Sequence, residues 1–153
     1  MLYPGGLDEE LVHLLAQAGC IEVSLGFESG CDRILKSMNK KFRARDVRAD
    51  SEMLKCAGIR RMGFLLLGGP GETRLTVLES LAFAESLGLE AMKISCGVRI
   101  YPGTKLGKAA LEEGVVFADD DLLFPRFYMA RGLGEWTAET VAEWKAGRPS
   151  WTI

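Results

Sequence analysis

Histidine is nearly absent: His13 is the single one in 153 residues. It falls in a helical stretch away from every predicted strand end and reads as structural. One imidazole cannot build the clusters used by acid–base hydrolases and many zinc enzymes. Close cysteine pairs are missing too. Cys20, Cys31, Cys56 and Cys96 lie far apart, without the two- or three-residue spacing of metal or iron–sulfur sites. So much helix and strand pattern also argues against a disulfide framework, and reduced thiols in a cytoplasmic protein are the expectation. No apolar run exceeds four or five residues, too few to span a membrane. The opening Met1-Leu2-Tyr3-Pro4-Gly5-Gly6 has neither the basic start nor the apolar core of a secretion signal. A net charge of −2 gives no basic surface for nucleic acid.

What is present is ordinary globular material, 48% apolar and 26% charged, in one domain's length of chain. The stretch that organises it is Arg61 to Thr73. Phe64-Leu65-Leu66-Leu67 runs straight into Gly68-Gly69-Pro70-Gly71, and a helical pattern follows Thr73. A run this short and apolar predicts a strand buried on both faces, as in parallel sheets. Glycines behind it let backbone N–H groups approach a ligand, and α/β folds place their sites at such strand ends.

The rest alternates in the same way. Asp8 caps a first helix with Leu11, Leu14, Leu15 and Ala18 on its apolar stripe, stopped at Gly19. Cys20 to Phe27 reads as a strand ending in Glu28-Ser29-Gly30. A short helix covers Asp32 to Met38, and a longer one runs from about Arg45 to Ala57. Thr73 caps a helix with Leu75, Leu78, Leu81 and Ala82 on its stripe. Ala91 to Tyr101 has a clean period of two and reads as one strand. Thr104 caps a helix from Lys105 to Glu113. Ala18-Gly19-Cys20, Ala57-Gly58-Ile59 and Leu87-Gly88-Leu89 each close a helix and open a strand, a weak repeat of βα units that implies a parallel sheet. After Val115 the pattern becomes irregular and aromatic, with Thr137 predicted to cap a last helix to Ala146.

On residues alone, Gly68 to Gly71 is a tight βα turn or a small-molecule cradle. It is no nucleotide P-loop, because no Gly-Lys-Ser/Thr follows at the required spacing. Glu28 past a buried strand is either a solvated cap or a partnered site residue, and Lys40-Lys41 is either a solvated pair or part of that site. Three functions stay open: the one implied by the resemblance below, a phosphate- or nucleotide-binding βα enzyme using the Gly68–Gly71 turn, and a non-catalytic binding module.

Taken together, ordered blocks resemble the second half of a radical S-adenosylmethionine (SAM) enzyme core. Leu25-Gly26-Phe27-Glu28-Ser29-Gly30, followed by Asp32 to Lys40, resembles the family's fourth strand and its helix. Leu66 to Thr73 is similar to the fifth-strand turn, with Gly68 four residues before Glu72; Phe64 departs from the glycine that often opens that motif. Arg99-Ile100-Tyr101-Pro102-Gly103-Thr104 is similar to the sixth-strand exit. The likeness spans residues 7 to about 114 and is greatest to the branch that often carries a cobalamin-binding domain.

The resemblance implies an α/β fold, half of a TIM-like barrel of parallel βα units over residues 1–114, with an irregular and helical extension over 115–153. It implies SAM and a [4Fe-4S] cluster, and possible cobalamin, for the parent protein. By position Glu28 would meet the ribose or methionine part of SAM, with Ser29 in support, and Lys40 would lie near the methionine carboxylate. The backbone at Leu66, Gly68 and Gly69, and at Ile100, Tyr101 and Pro102, would line the adenine. The Cys-x₃-Cys-x₂-Cys loop that holds the family's cluster does not occur in this sequence. The expectation is therefore a fragment without metal ligands or catalytic residues of its own, inert alone, whose exposed half-barrel surfaces make it a homodimer.

Overall fold

A computed structural model describes all 153 residues. Its elements are α1 (Glu9–Gln17), β1 (Glu22–Glu28), α2 (Asp32–Ser37), α3 (Ala44–Cys56), β2 (Arg60–Leu67), α4 (Arg74–Ser86), β3 (Ala91–Cys96), β4 (Val98–Arg99), α5 (Lys105–Glu112), β5 (Phe127–Tyr128), α6 (Gly134–Lys145) and β6 (Trp151–Thr152). The main sheet has the order β1-β2-β3-β6 and is parallel throughout. This is the expected run of βα units, an arc of barrel wall with its strands' carboxyl ends on one rim.

Local chemistry sets the helix starts. Asp8 accepts from the Leu11 N–H at 2.8 Å, and Thr104 accepts from that of Gly107 at 3.0 Å. Thr73 and Thr76 exchange reciprocal bonds at the head of α4. Thr137 was predicted to cap the last helix, but that helix begins at Gly134. Thr137 instead sits inside it, fully buried, and its hydroxyl has no partner.

The sheet is covered on one side only. Val23, Leu25, Phe27, Leu65, Leu67, Met92 and Ile94 form one buried face, against which α3, α4 and α6 pack. The strand at the centre was expected to be buried on both faces. It alternates instead, with Arg61, Gly63, Leu65 and Leu67 buried and Met62, Phe64 and Leu66 half-buried. The physical reason is that helices cover one face of the sheet only, and nothing stacks on the other.

The predicted helical stripes also move. In α4 the buried face is Thr76, Val77, Ser80, Leu81 and Ala84, while Leu75 is 74% exposed and Leu78 and Ala82 face solvent. In α1 Val12 is the buried residue, and Leu11 and Leu14 are exposed. The sheet selects the face, and it selects one with two hydroxyls over one with more leucine.

The predicted strand from Ala91 to Tyr101 breaks in two. Gly97 takes φ +93°, and the chain leaves the main sheet so that β4 pairs antiparallel with β5. At the outer edges both termini contribute. The Leu2 N–H donates to Ser24 O at 2.7 Å and Leu2 O accepts from the Gly26 N–H, so Leu2 lies beside β1. The outer edge of β1, one of the half-barrel surfaces expected to be exposed, is thus partly capped. β6 pairs with β3 through Trp151 and Thr152, which the sequence pattern did not reveal.

Candidate functional site

The carboxyl-terminal rim of the sheet gathers most of the residues the sequence singled out. At the end of β1 the register with β2 slips between Leu25 and Glu28, and Glu28 adopts φ +65°. That left-handed conformation costs a residue with a Cβ about 1 kcal/mol, and such strain concentrates at functional sites. The turn aims the Glu28 carboxylate at Lys40, whose Nζ lies 3.4 Å from Oε1. Their side chains keep 25% and 22% of their surface exposed, so the pair is open to a ligand. Asn39 at φ +57° swings Lys40 inward, whereas Lys41 turns away to bond the Asn39 side chain.

Beyond β2, Gly68 takes φ +93° and the turn folds back on itself. Glu72 supplies the reason. Its Oε2 accepts from the N–H groups of both Gly68 and Gly69, the latter at 2.9 Å. Its Oε1 is buried with no partner, and burial pushes the carboxyl above its ordinary range. The glycine turn is therefore not a free anion cradle, because the chain's own carboxylate already occupies those donors. This weighs directly against a phosphate site there. A Cβ on Gly68 would collide with Met129; on Gly69 it would press at 3.4 Å on Met38 and Val98.

Between these features lies an open cavity of about 620 Å³, within the range of small-molecule sites. Glu28, Lys40, Leu66, Pro70, Val98 and Thr104 are among its lining residues. Sequence reasoning had Glu28, Lys40 and Leu66, and had Thr104 as the helix cap that closes the block similar to the sixth-strand exit. It missed Val98 and Met38. Gly97 was the available signal for Val98, since a glycine inside an alternating strand often marks a departure from the sheet.

The remaining predicted residues fall elsewhere. Ser29 is fully buried: its hydroxyl bonds Ser80 on α4 at 2.8 Å and accepts from the Cys31 N–H at 3.1 Å. It fixes the exit of β1 from below. Ile100 is buried in the core, and its N–H donates to Arg126 O at 2.8 Å. Tyr101 and Pro102 are exposed, the Tyr101 ring lying under the Arg99 guanidinium at 4.9 Å. The wall from that segment comes from Val98 and Thr104.

For metal, the residues do not fit. No three His, Cys, Asp or Glu side chains come together to hold an ion, and the four thiols are free and scattered. No helix is long and apolar enough to cross a membrane.

A profile of the radical SAM superfamily matches residues 1–84, over half the chain. The chain belongs to the radical SAM superfamily. This radical SAM chain is 29% identical over 150 residues to a cytidylyl-2-hydroxyethylphosphonate methyltransferase from Streptomyces wedmorensis, covering 90% of the chain and 27% of that protein. It is 27% identical over 109 residues to an uncharacterized methyltransferase from Pyrococcus horikoshii, covering 71% and 24% respectively. Among solved structures it resembles the radical SAM methyltransferase TsrM from Kitasatospora setae, at TM-score 0.65 and 28% identity over 72% of this chain and 22% of that one. TsrM has been solved with a tryptophan substrate and the SAM analogue aza-SAM, and also with cobalamin and a [4Fe-4S] cluster. Elp3 from the archaeon Methanocaldococcus infernus shares the fold, at TM-score 0.68 and 21% identity over 95% of this chain and 31% of that one. The chain spans about a quarter of the length of the curated relatives it matches.

Proposed function

We propose that this chain is the SAM-cradling part of a radical SAM methyltransferase core, residues 1–114 supplying β1, β2 and β3 of the arc of barrel and 115–153 an extension that packs on it and adds the short edge strand β6. The observation that carries the reading is the strained Glu28, held against Lys40 at the mouth of the cavity beside the Gly68–Gly69 turn. A carboxylate and an ammonium about a salt-bridge length apart suit the two ends of an amino acid or the diol of a ribose. Leu66 and Val98, which line the cavity, offer an apolar wall for a purine. Bound SAM would bring methyl or hydrogen-abstraction chemistry to this rim; the chain's own contribution is to bind and orient it. Ser29 and Glu72 act as positioning residues, one under Glu28 and the other under the turn.

The iron–sulfur cluster belongs to the parent protein in this reading, and any cobalamin with it, because no donor set here fits a metal. The isolated chain is then inert, and anaerobic reconstitution with iron and sulfide yields no stable cluster. Four free thiols support a reducing, cytoplasmic setting. The relatives named for methyl transfer act on a phosphonate and on tryptophan; methylation of a small organic acid is the corresponding activity for the parent of this chain.

Calorimetry tests the binding claim. SAM should bind the wild-type chain, and Glu28→Gln and Lys40→Met should each weaken it at least tenfold. Binding of inorganic phosphate or ATP in place of SAM would favour the alternative enzyme class. Binding of none of these would favour a non-catalytic module.

A further inference from the structure

The open face of the sheet carries charge as well as apolar surface. β1 presents Glu22 and Ser24 there, with Glu28 at the rim; β2 presents Arg60, Met62, Phe64 and Leu66; β3 presents Ala91, Lys93 and Ser95. Most of the charges are matched in place. Arg60 lies 3.7 Å from Glu22, and Glu28 is paired with Lys40. Lys93 has no carboxylate within ion-pair reach. It is exposed although its strand neighbours Met92 and Ile94 are fully buried.

Its surroundings are mixed. Lys93 pairs in register with Phe64 on one side and Thr152 on the other, and Ser95 is the next residue up the same face. Leu66, in register with Ser95, already lines the cavity. Same-face side chains two residues apart on a strand are about 7 Å apart. Lys93 therefore lies one side-chain layer below the cavity, over a half-buried floor of Met62 and Phe64. Once a barrel closes over this face, an ammonium without a counter-charge becomes costly. Its counter-charge then comes from outside the present network, and an anionic group on a bound substrate is one that can supply it.

We propose that Lys93 is the recognition group for an anionic substituent, a carboxylate, phosphate or phosphonate, on the substrate. The substrate's apolar body would lie on Phe64 and Met62, with its reacting end toward the rim. That Lys93 contacts the substrate rests on the SAM reading of the cavity; that it forms an anion subsite does not.

The two are separated by titrating the ¹⁵N-labelled chain with phenylphosphonate, with benzoate and, independently, with SAM. Phenylphosphonate or benzoate should shift the amides of Phe64, Lys93 and Ser95, and the stronger of the two assigns the anion class. Lys93→Met, which keeps the exposed stem, should weaken that probe at least tenfold, and Lys55→Met on the far side should not. Unchanged SAM affinity in Lys93→Met would show two separate subsites, as proposed. Equal probe binding by wild type and Lys93→Met would overturn the proposal, as would no binding by wild type. If SAM fails to bind wild type while the probe still depends on Lys93, the SAM reading falls and the anion subsite stands.

Discussion

Glu28 shows how a site and a stability defect share one residue. Its φ of +65° suits glycine, yet a carboxylate stands there. Its ion pair with Lys40 is partly solvated and contributes little to folding. Glu28→Gly should therefore be about 1 kcal/mol more stable than Glu28→Ala, because only glycine relieves the strain. Both should lose SAM binding, and urea titration beside calorimetry reads the two effects separately. Glu72 behaves in the opposite way. Glu72→Ala strips acceptors from two buried N–H groups and should cost about 2–4 kcal/mol, whereas Glu72→Gln keeps an acceptor and most of that stability. Loss of hydrogen-exchange protection at Gly68 and Gly69 in the alanine variant alone would locate the damage. The resemblance to the radical SAM core pointed to Glu28 by position and matched Glu72 to the glycine four residues before it. It did not show that the carboxylate folds back onto its own turn, since a four-residue return depends on φ angles that composition does not encode.

At the scale of elements, Arg61 joins β2 to α3 and to the connection between α4 and β3, and its guanidinium is almost fully buried. It donates to the Ser51 hydroxyl at 3.0 Å, to Gly88 O at 2.8 Å and to Glu90 Oε1 at 2.8 Å. Bonds from Arg61 hold the Glu90 carboxyl down at about 2, well below its ordinary range. A folded value below the unfolded one means the stabilisation is present above the unfolded value of about 4.5 and fades as pH falls through about 2. Urea midpoints of wild type should drop over that window more steeply than those of Glu90→Gln. Arg61→Met should cost about 3 kcal/mol at neutral pH, because it leaves several buried acceptors unpaired. Most elements were legible from periodicity, glycine stops and caps, but the buried helix faces were not. Leu75 and Leu78 look like core by hydropathy. The sheet instead buries Ser80, which satisfies Ser29 and the Gly30 N–H, a demand that arises only after β1 and α4 meet. Trp151 was illegible for a related reason: two strand residues carry no period, and their partner is nearly sixty positions away.

For the molecule as a whole, the open sheet face remains available to a second copy. Met62, Phe64 and Leu66 are half-buried there, and Ile21 is exposed beside the edge that Leu2 only partly covers. We predict that the isolated chain pairs face to face as a homodimer, and that phenylphosphonate or benzoate, seated on the same Phe64 and Met62, dissociates it. A monomer by light scattering at tens of micromolar without either probe would sink the dimer. Phe64→Glu places a charge in the centre of that face and should shift the equilibrium to monomer with little change in the circular dichroism spectrum.

The two chain ends, paired at opposite margins of one sheet, have a mechanical consequence. Leu2 and Trp151 are separated by four inter-strand spacings, roughly 19 Å across the strands. A load applied to the termini pulls sideways and opens hydrogen bonds one after another instead of shearing them together. Stretched in an optical trap, the chain should release its margins at low force and leave β1, β2 and β3 as the last part to yield.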